Sequence, residues 1–116
     1  MLPSGIKVYI AKEATDLRKS YDGLGMLVHE TLEMDPLSGY VFVFFNRRAN
    51  QIKALYWDRN GFCIWQKRLE KGKFRVPSIT DSHWEINFQE LQVLLAGFSI
   101  KHLRRHTQDY SNYVIN

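Results

Sequence analysis

Cysteine is nearly missing from this chain: Cys63 is the only one, so no disulfide closes within a single copy and no zinc site built on several thiolates forms. Its flanks, Phe62 and Ile64, mark it as a packed, inert thiol rather than a nucleophile. Also missing is any run approaching the ~20 apolar residues of a membrane span. The opening Met1-Leu2-Pro3-Ser4-Gly5 lacks the basic and apolar regions of a signal peptide. The expected compartment is the cytoplasm, with no membrane contact. No Gly-x-x-x-x-Gly-Lys-Ser/Thr or Gly-x-Gly-x-x-Gly loop is present, so nucleotide hydrolysis and dinucleotide binding lack their phosphate cradle.

Catalytic constellations are equally sparse. Asp16, Asp22, Asp35 and Asp58 are the acids to weigh for a two-metal nuclease site. Each has an ordinary structural role: Asp16 suits a helix start, Asp35 precedes a proline in a turn, and Asp58 opens a hairpin. His102 and His106 are four apart but have no cysteine or acid at ligand spacing. The reading is therefore a protein that is not an enzyme, with no catalytic residues, no metal site and no cofactor.

What the chain does have is a globular composition, 45% hydrophobic and 14% aromatic, in 116 residues. That suits one domain over 1–116, ordered over about 6–99 with a polar tail over about 100–116. It also has a placed charge. Residues 46–75 hold nine basic side chains, Arg47, Arg48, Lys53, Arg59, Lys67, Arg68, Lys71, Lys73 and Arg75, against two acids, Asp58 and Glu70. The flanking segments each carry a small acidic excess, and the whole chain is +4. Tyr56, Trp57, Phe62, Trp65 and Phe74 are interleaved with the cations. Basic side chains with aromatic platforms suit a polyanion with stackable bases, although each Trp is more readily placed in a core.

Pattern supplies a coarse architecture. Residues 7–10 read as a strand. Thr15 or Asp16 is expected to cap a helix whose face runs Leu17, Tyr21, Leu24, Val28 and Leu32, with Gly23 and Gly25 admitting a close neighbour. Residues 35–39 end it, and residues 40–45 are apolar at every position, which marks a central strand covered on both faces. A polar turn over 46–50, a strand over 51–57, a turn over 58–61 with Asn60-Gly61 as a type I′ pair, and a strand over 62–68 complete a three-stranded meander. Residues 84–86 suit a short edge strand. Asn87 and Glu90 have capping-box spacing before a helix with face Leu91, Leu94, Leu95 and Phe98, ended by Gly97. The expected class is α+β: an antiparallel sheet including the meander, with two helices packed on one face.

Five ordered runs add a resemblance: Thr15-Asp16-Leu17-Arg18-Lys19-Ser20-Tyr21-Asp22-Gly23-Leu24, Asp35-Pro36-Leu37-Ser38-Gly39, Phe42-Val43-Phe44-Phe45-Asn46-Arg47-Arg48-Ala49-Asn50-Gln51-Ile52-Lys53, Tyr56-Trp57-Asp58-Arg59-Asn60-Gly61 and Lys67-Arg68-Leu69-Glu70-Lys71-Gly72-Lys73-Phe74. In order and spacing they resemble the short accessory protein, often called TnpB, of the insertion sequence sixty-six family of bacterial transposable elements. The resemblance spans about residues 5–75, is looser through the strand-then-helix ending, and has no motif after residue 99. It implies a role in transposition beside a separate, larger transposase that holds the acidic catalytic residues. It transfers no DNA-contacting residues.

The contact set is therefore read from charge: Arg18, Lys19, Arg47, Arg48, Lys53, Arg59, Lys67, Arg68, Lys71 and Lys73 facing DNA phosphates, at a transposon end or target. The expected partners are DNA, the transposase and other proteins of the same element. The alternative is an adaptor that docks an acidic surface of the transposase without touching DNA. The oligomeric state is not readable from the sequence.

Overall fold

The computed structural model describes residues 5–100. In chain order the elements are β1 (Val8–Ala11), α1 (Tyr21–Glu30), β2 (Val41–Phe45), β3 (Gln51–Asp58), β4 (Gly61–Arg68), β5 (His83–Ile86) and α2 (Phe88–Leu95). They build one five-stranded sheet in the order β4-β3-β2-β1-β5. The fold is α+β and mostly antiparallel. Only β1 and β2 run parallel, in register Val8 with Val41 and Ile10 with Val43, because α1 is the crossover between them.

The helices lie on opposite faces of the sheet, not on one. Val8, Ile10, Val41, Val43, Ile52 and Ala54 pack with Leu91 and Leu94 of α2. The alternate side chains Tyr9, Ala11, Phe42, Phe44 and Leu55 pack with Leu24 and Val28 of α1. The cause is the unbroken apolar pattern of β1 and β2. Successive side chains point to opposite faces, so a strand that is apolar throughout has two faces to bury and needs two covers.

Helix α1 begins later than its pattern suggests. Asp16 accepts from the Arg18 amide at 3.0 Å and from the Arg18 guanidinium at 2.6–3.0 Å, so it closes a local turn instead of capping a helix. The helix starts at Tyr21 after Ser20, which makes no side-chain cap bond. Leu17, Leu24, Val28 and Leu32 are buried as expected, whereas Tyr21 is 48% exposed. Gly25 faces Phe62 and Pro36 at ordinary contact distance, so a close neighbour is present without demanding glycine.

Helix α2 has its capping box: Asn87 Oδ1 accepts from the Glu90 amide at 2.7 Å and Glu90 Oε1 accepts from the Asn87 amide at 3.0 Å. Gly97, at φ +93°, follows the C-cap Ala96 and terminates the helix. Phe98 does not join its buried face and is 67% exposed, while Ile100 does reach the core.

The meander lies where the pattern puts it, and the β3–β4 turn spans residues 58–61 as expected, but with a different geometry. Asp58 pairs with Gly61, so Arg59 and Asn60 are the central pair, and of these only Arg59 has positive φ, +53°. That is not the doubly left-handed geometry of a type I′ turn on Asn60-Gly61.

Candidate nucleic-acid interface

Strand direction decides which cations meet. β1 and β2 end, β3 begins and β4 ends at the same edge of the sheet. This end therefore collects the segment after β1, the β2–β3 loop and the segment after β4. Nine of the ten charge-selected residues, Arg18, Lys19, Arg47, Arg48, Lys53, Lys67, Arg68, Lys71 and Lys73, lie on or beside these segments. Arg59 does not. It occupies the opposite hairpin, seven steps of ~3.3 Å along β3 or about 23 Å away, and pairs with Asp58 at 3.6 Å.

The β2–β3 loop is stitched by its own asparagines. Asn46 Oδ1 accepts from the amides of Asn50 and Gln51, each at 3.0 Å, and Asn46 Nδ2 donates to Asn50 Oδ1 at 2.7 Å. With the polar groups satisfied internally, Arg47 and Arg48 point outward and are exposed. Ala49 completes the turn at φ +55°. The loop also touches the segment after β1, since the Thr15 amide donates to the Phe45 carbonyl at 2.8 Å. A groove of about 450 Å³ between them is lined by Leu17, Arg18, Asn46, Arg47, Arg48 and Gln51.

The segment after β4 is fastened to the same loop. The Leu69 amide donates to the Asn50 carbonyl at 2.8 Å, and the Phe74 amide donates to the Ala49 carbonyl at 2.7 Å. Leu69 and Phe74 both pack on the α2-side core. Between these anchors Gly72 takes φ +80°, and Lys71 and Lys73 are left exposed. The two basic loops thus form one preorganised surface.

Individual cations differ in how free they are. Arg18 is held by Asp16, whose carboxyl is kept well below the usual carboxylate range by the Arg18 hydrogen bonds. Arg68 pairs with Glu70 at 3.1 Å. Lys53 and Lys67 do not converge. Lys53 reaches toward α1 and donates to the Lys19 carbonyl at 3.0 Å, while Lys67 reaches the other face and donates to the Leu95 carbonyl at the end of α2 at 2.9 Å. A cation there complements the negative end of the helix dipole. Of the ten charge-selected residues, Lys19, Arg47, Arg48, Lys71 and Lys73 are exposed and, among the described residues, are neither in an ion pair nor, like Lys67, bonded to a helix-end carbonyl.

The interleaved aromatics are not platforms at this end. Phe74 is buried, Tyr56 and Trp65 pack on the α2-side core, and Phe62 packs on the α1 side. Trp57 meets the Phe62 ring edge-on at 5.1 Å near the distal hairpin. Cys63 is half-buried, not fully so. It lies opposite Tyr56, whose phenol is pushed up by burial first and by the neighbouring Cys63 second.

The acids do not assemble either. Asp16 is on Arg18, Asp35 accepts from the Leu37 amide at 2.9 Å in its turn, and Asp58 is at the far hairpin. Among the described residues no group of three His, Cys, Asp or Glu side chains is placed to hold a metal. His102 and His106 lie outside the described residues. Among those residues no helix is long and apolar enough to cross a membrane. One further concavity, of about 500 Å³, adjoins the basic end. It has Ala11, Leu27, Leu32 and Phe44 in its lining and Thr80, Asp81 and Ser82 on its far side.

Fold and surface together define a class: a small mixed-sheet α+β protein with a stitched basic end. Sequence comparison gives its family. The family described as IS66 Orf2 like protein matches over residues 6–105, and the chain belongs to it. Among curated proteins the chain is similar to two from Sinorhizobium fredii (strain NBRC 101917 / NGR234). Uncharacterized protein y4hO is 38% identical over 104 residues, covering 88% of this chain and 90% of that protein. Uncharacterized protein y4jC is 33% identical over 101 residues, covering 87% and 86%. No solved structure matches the chain. The family assigns the protein an accessory role in transposition.

Proposed function

We propose that this protein is a non-catalytic accessory factor of DNA transposition that binds duplex DNA through the basic end of its sheet and so assists a separate transposase. The observation that carries the reading is the pair of loops joined at Ala49 and Phe74, which holds Arg47, Arg48, Lys71 and Lys73 outward on one surface. Loops whose backbones are already tied together meet a phosphate backbone with little further backbone ordering, although each long side chain still loses rotamer freedom, and counterion release supplies the affinity. Because the neighbouring aromatics are drawn into the core, phosphate contact is favoured over base stacking. Weak sequence preference follows, since phosphate contacts position a protein without specifying bases.

A second reading has its own support. The apolar concavity beside the basic end, with Leu27, Leu32 and Phe44 in its lining, fits a protein partner that brings an apolar side chain, with the neighbouring basic loops left to meet its acids. This is the adaptor, docked on the transposase. Fluorescence anisotropy on labelled duplex at low salt separates the two. The DNA reading requires a rise in anisotropy that unlabelled duplex of any sequence reverses. An adaptor gives no rise with DNA and binds only the transposase. Nicking of supercoiled plasmid with Mg²⁺ or Mn²⁺ would contradict the non-catalytic part.

A further inference from the structure

Among the described residues β4 pairs only with β3, so one long edge of the sheet is open. The hairpin register tells which backbone groups are unpaired. In a two-residue hairpin the closing pair, here Asp58 and Gly61, exchanges both hydrogen bonds, and such pairs alternate along the ladder. Tyr56 with Cys63, Ala54 with Trp65 and Ile52 with Lys67 are then the mutually bonded pairs. Phe62, Ile64, Gln66 and Arg68 direct their N–H and C=O groups away from β3.

Only the Lys67 and Arg68 end of this edge carries charge, and the rest lacks the usual protection. Folded proteins blunt open edges with short strands, charges, prolines or bulges. The opposite edge, β5, is only four residues long. β4 has eight, and its first five, Gly61, Phe62, Cys63, Ile64 and Trp65, carry no charge or proline and are all half-buried. Neither helix covers them completely.

We propose that β4 pairs antiparallel with β4 of a second copy of this chain, about a two-fold axis through Ile64, to make one continuous sheet. Three features select this occupant. The first is hydrogen-bond parity. In this register Ile64 faces Ile64 and Phe62 faces Gln66, so every outward-directed residue meets another.

The second is side-chain matching: a two-fold normal to the sheet keeps α1 of both copies on one side. On the α1 face the half-exposed Ile64 then meets its own copy, with Phe62 on the diagonal, and Cys63 meets Trp65 on the other face. The third is charge. Antiparallel pairing sets Lys67 beside Gly61 and Arg68 beside Asn60 of the other copy. Gly61 has no side chain, and Asp58 stands directly behind it on β3. A parallel pairing would instead stack Lys67 and Arg68 on their own copies.

The test uses the full chain in sedimentation across a range of concentrations. The wild type is expected at twice its 13.7 kDa mass, and Gln66→Pro at the monomer mass with unchanged circular dichroism. Proline there removes only an outward N–H and is tolerated on an edge. As an independent reading, Ile64→Cys in a Cys63→Ser background forms an intermolecular disulfide when oxidised with copper–phenanthroline in air, because mutually bonded strand residues have Cα atoms about 5.5 Å apart, within disulfide range. If Gln66→Pro loses its fold, the disulfide decides. A wild type that stays monomeric, as when another segment covers β4, overturns the proposal. So does a dimer that persists in folded Gln66→Pro, or failure of Ile64→Cys to cross-link.

Discussion

The amide of Phe74 donates to the carbonyl of Ala49 across 2.7 Å, and this bond joins two loops that are 25 positions apart in the chain. It sets the surface proposed to meet DNA. Phe74 is 3% exposed in the α2-side core, so the Lys71–Lys73 loop is tied both by its backbone and by a buried ring. Removing the ring in Phe74→Ala should cost about 3–5 kcal/mol by the lost burial and the cavity left behind. Phe74→Leu should cost much less and keep the loop in place. Urea denaturation of the two variants checks the difference.

Ala49 sits at φ +55°, a left-handed conformation that costs a side-chain-bearing residue about 1–2 kcal/mol. Ala49→Gly is therefore expected to leave stability unchanged or raise it by up to about 1 kcal/mol, since glycine's lower steric cost is partly offset by its larger unfolded entropy. Ala49→Val is expected to destabilise. Denaturant midpoints compared at equal slope give the sign.

Position along the sheet separates the arginines. Arg47 and Arg48 are at the basic end, whereas Arg59 is on the opposite hairpin beside Asp58. Replacing both Arg47 and Arg48 by alanine should weaken duplex binding and flatten the salt dependence by roughly two phosphates' worth, about 1.8 in slope. Arg59→Ala should change neither. Anisotropy titrations at several salt concentrations measure both quantities.

Lys67 has a structural duty that its charge alone does not disclose, since its ammonium bonds the Leu95 carbonyl. Lys67→Met is expected to lower stability by about 0.3–1 kcal/mol, the usual value of a cation at a helix C-terminus. The loss should shrink as salt rises. Thermal melts at two ionic strengths read it.

Tyr9 and Tyr56 both titrate above the ordinary tyrosine range. Burial is the main cause in each, followed by Glu85 for Tyr9 and by Cys63 for Tyr56. With the folded value raised, the unfolded phenol loses its proton first. The stabilisation is whole below about pH 10, the unfolded tyrosine value, and fades as pH climbs through the folded one. The denaturant midpoint should therefore fall on the alkaline side, and fall less in Tyr9→Phe.

Much of this was legible in the chain. The β2–β4 meander followed from an apolar run and two turn signals, and the Asn87–Glu90 cap from its spacing, because both are decided by neighbours in sequence. The start of α1 was not legible. Asp16 looks like a cap, but Arg18, two residues on, takes its carboxylate. The placement of the helices on opposite faces was written in the unbroken apolar pattern of β2, yet an α+β expectation with one covered face ran against it. At the site, charge identified the cations but not their grouping. Lys53 and Lys67 stand on adjacent ladder rungs and diverge, because side-chain parity across β3 and β4 places them on opposite faces. Arg59 is separated from the others by strand length alone, which the expected meander already implied but a selection by charge ignored.

The most direct measurement of the central claim is the salt dependence of binding to duplex DNA by the full chain. If Lys19, Arg47, Arg48, Lys71 and Lys73, which are exposed and outside any ion pair, each meet one phosphate, five are neutralised. Log K is then expected to fall linearly with log salt at a slope of roughly −4.5. A slope near zero, or no binding at low salt, would contradict it.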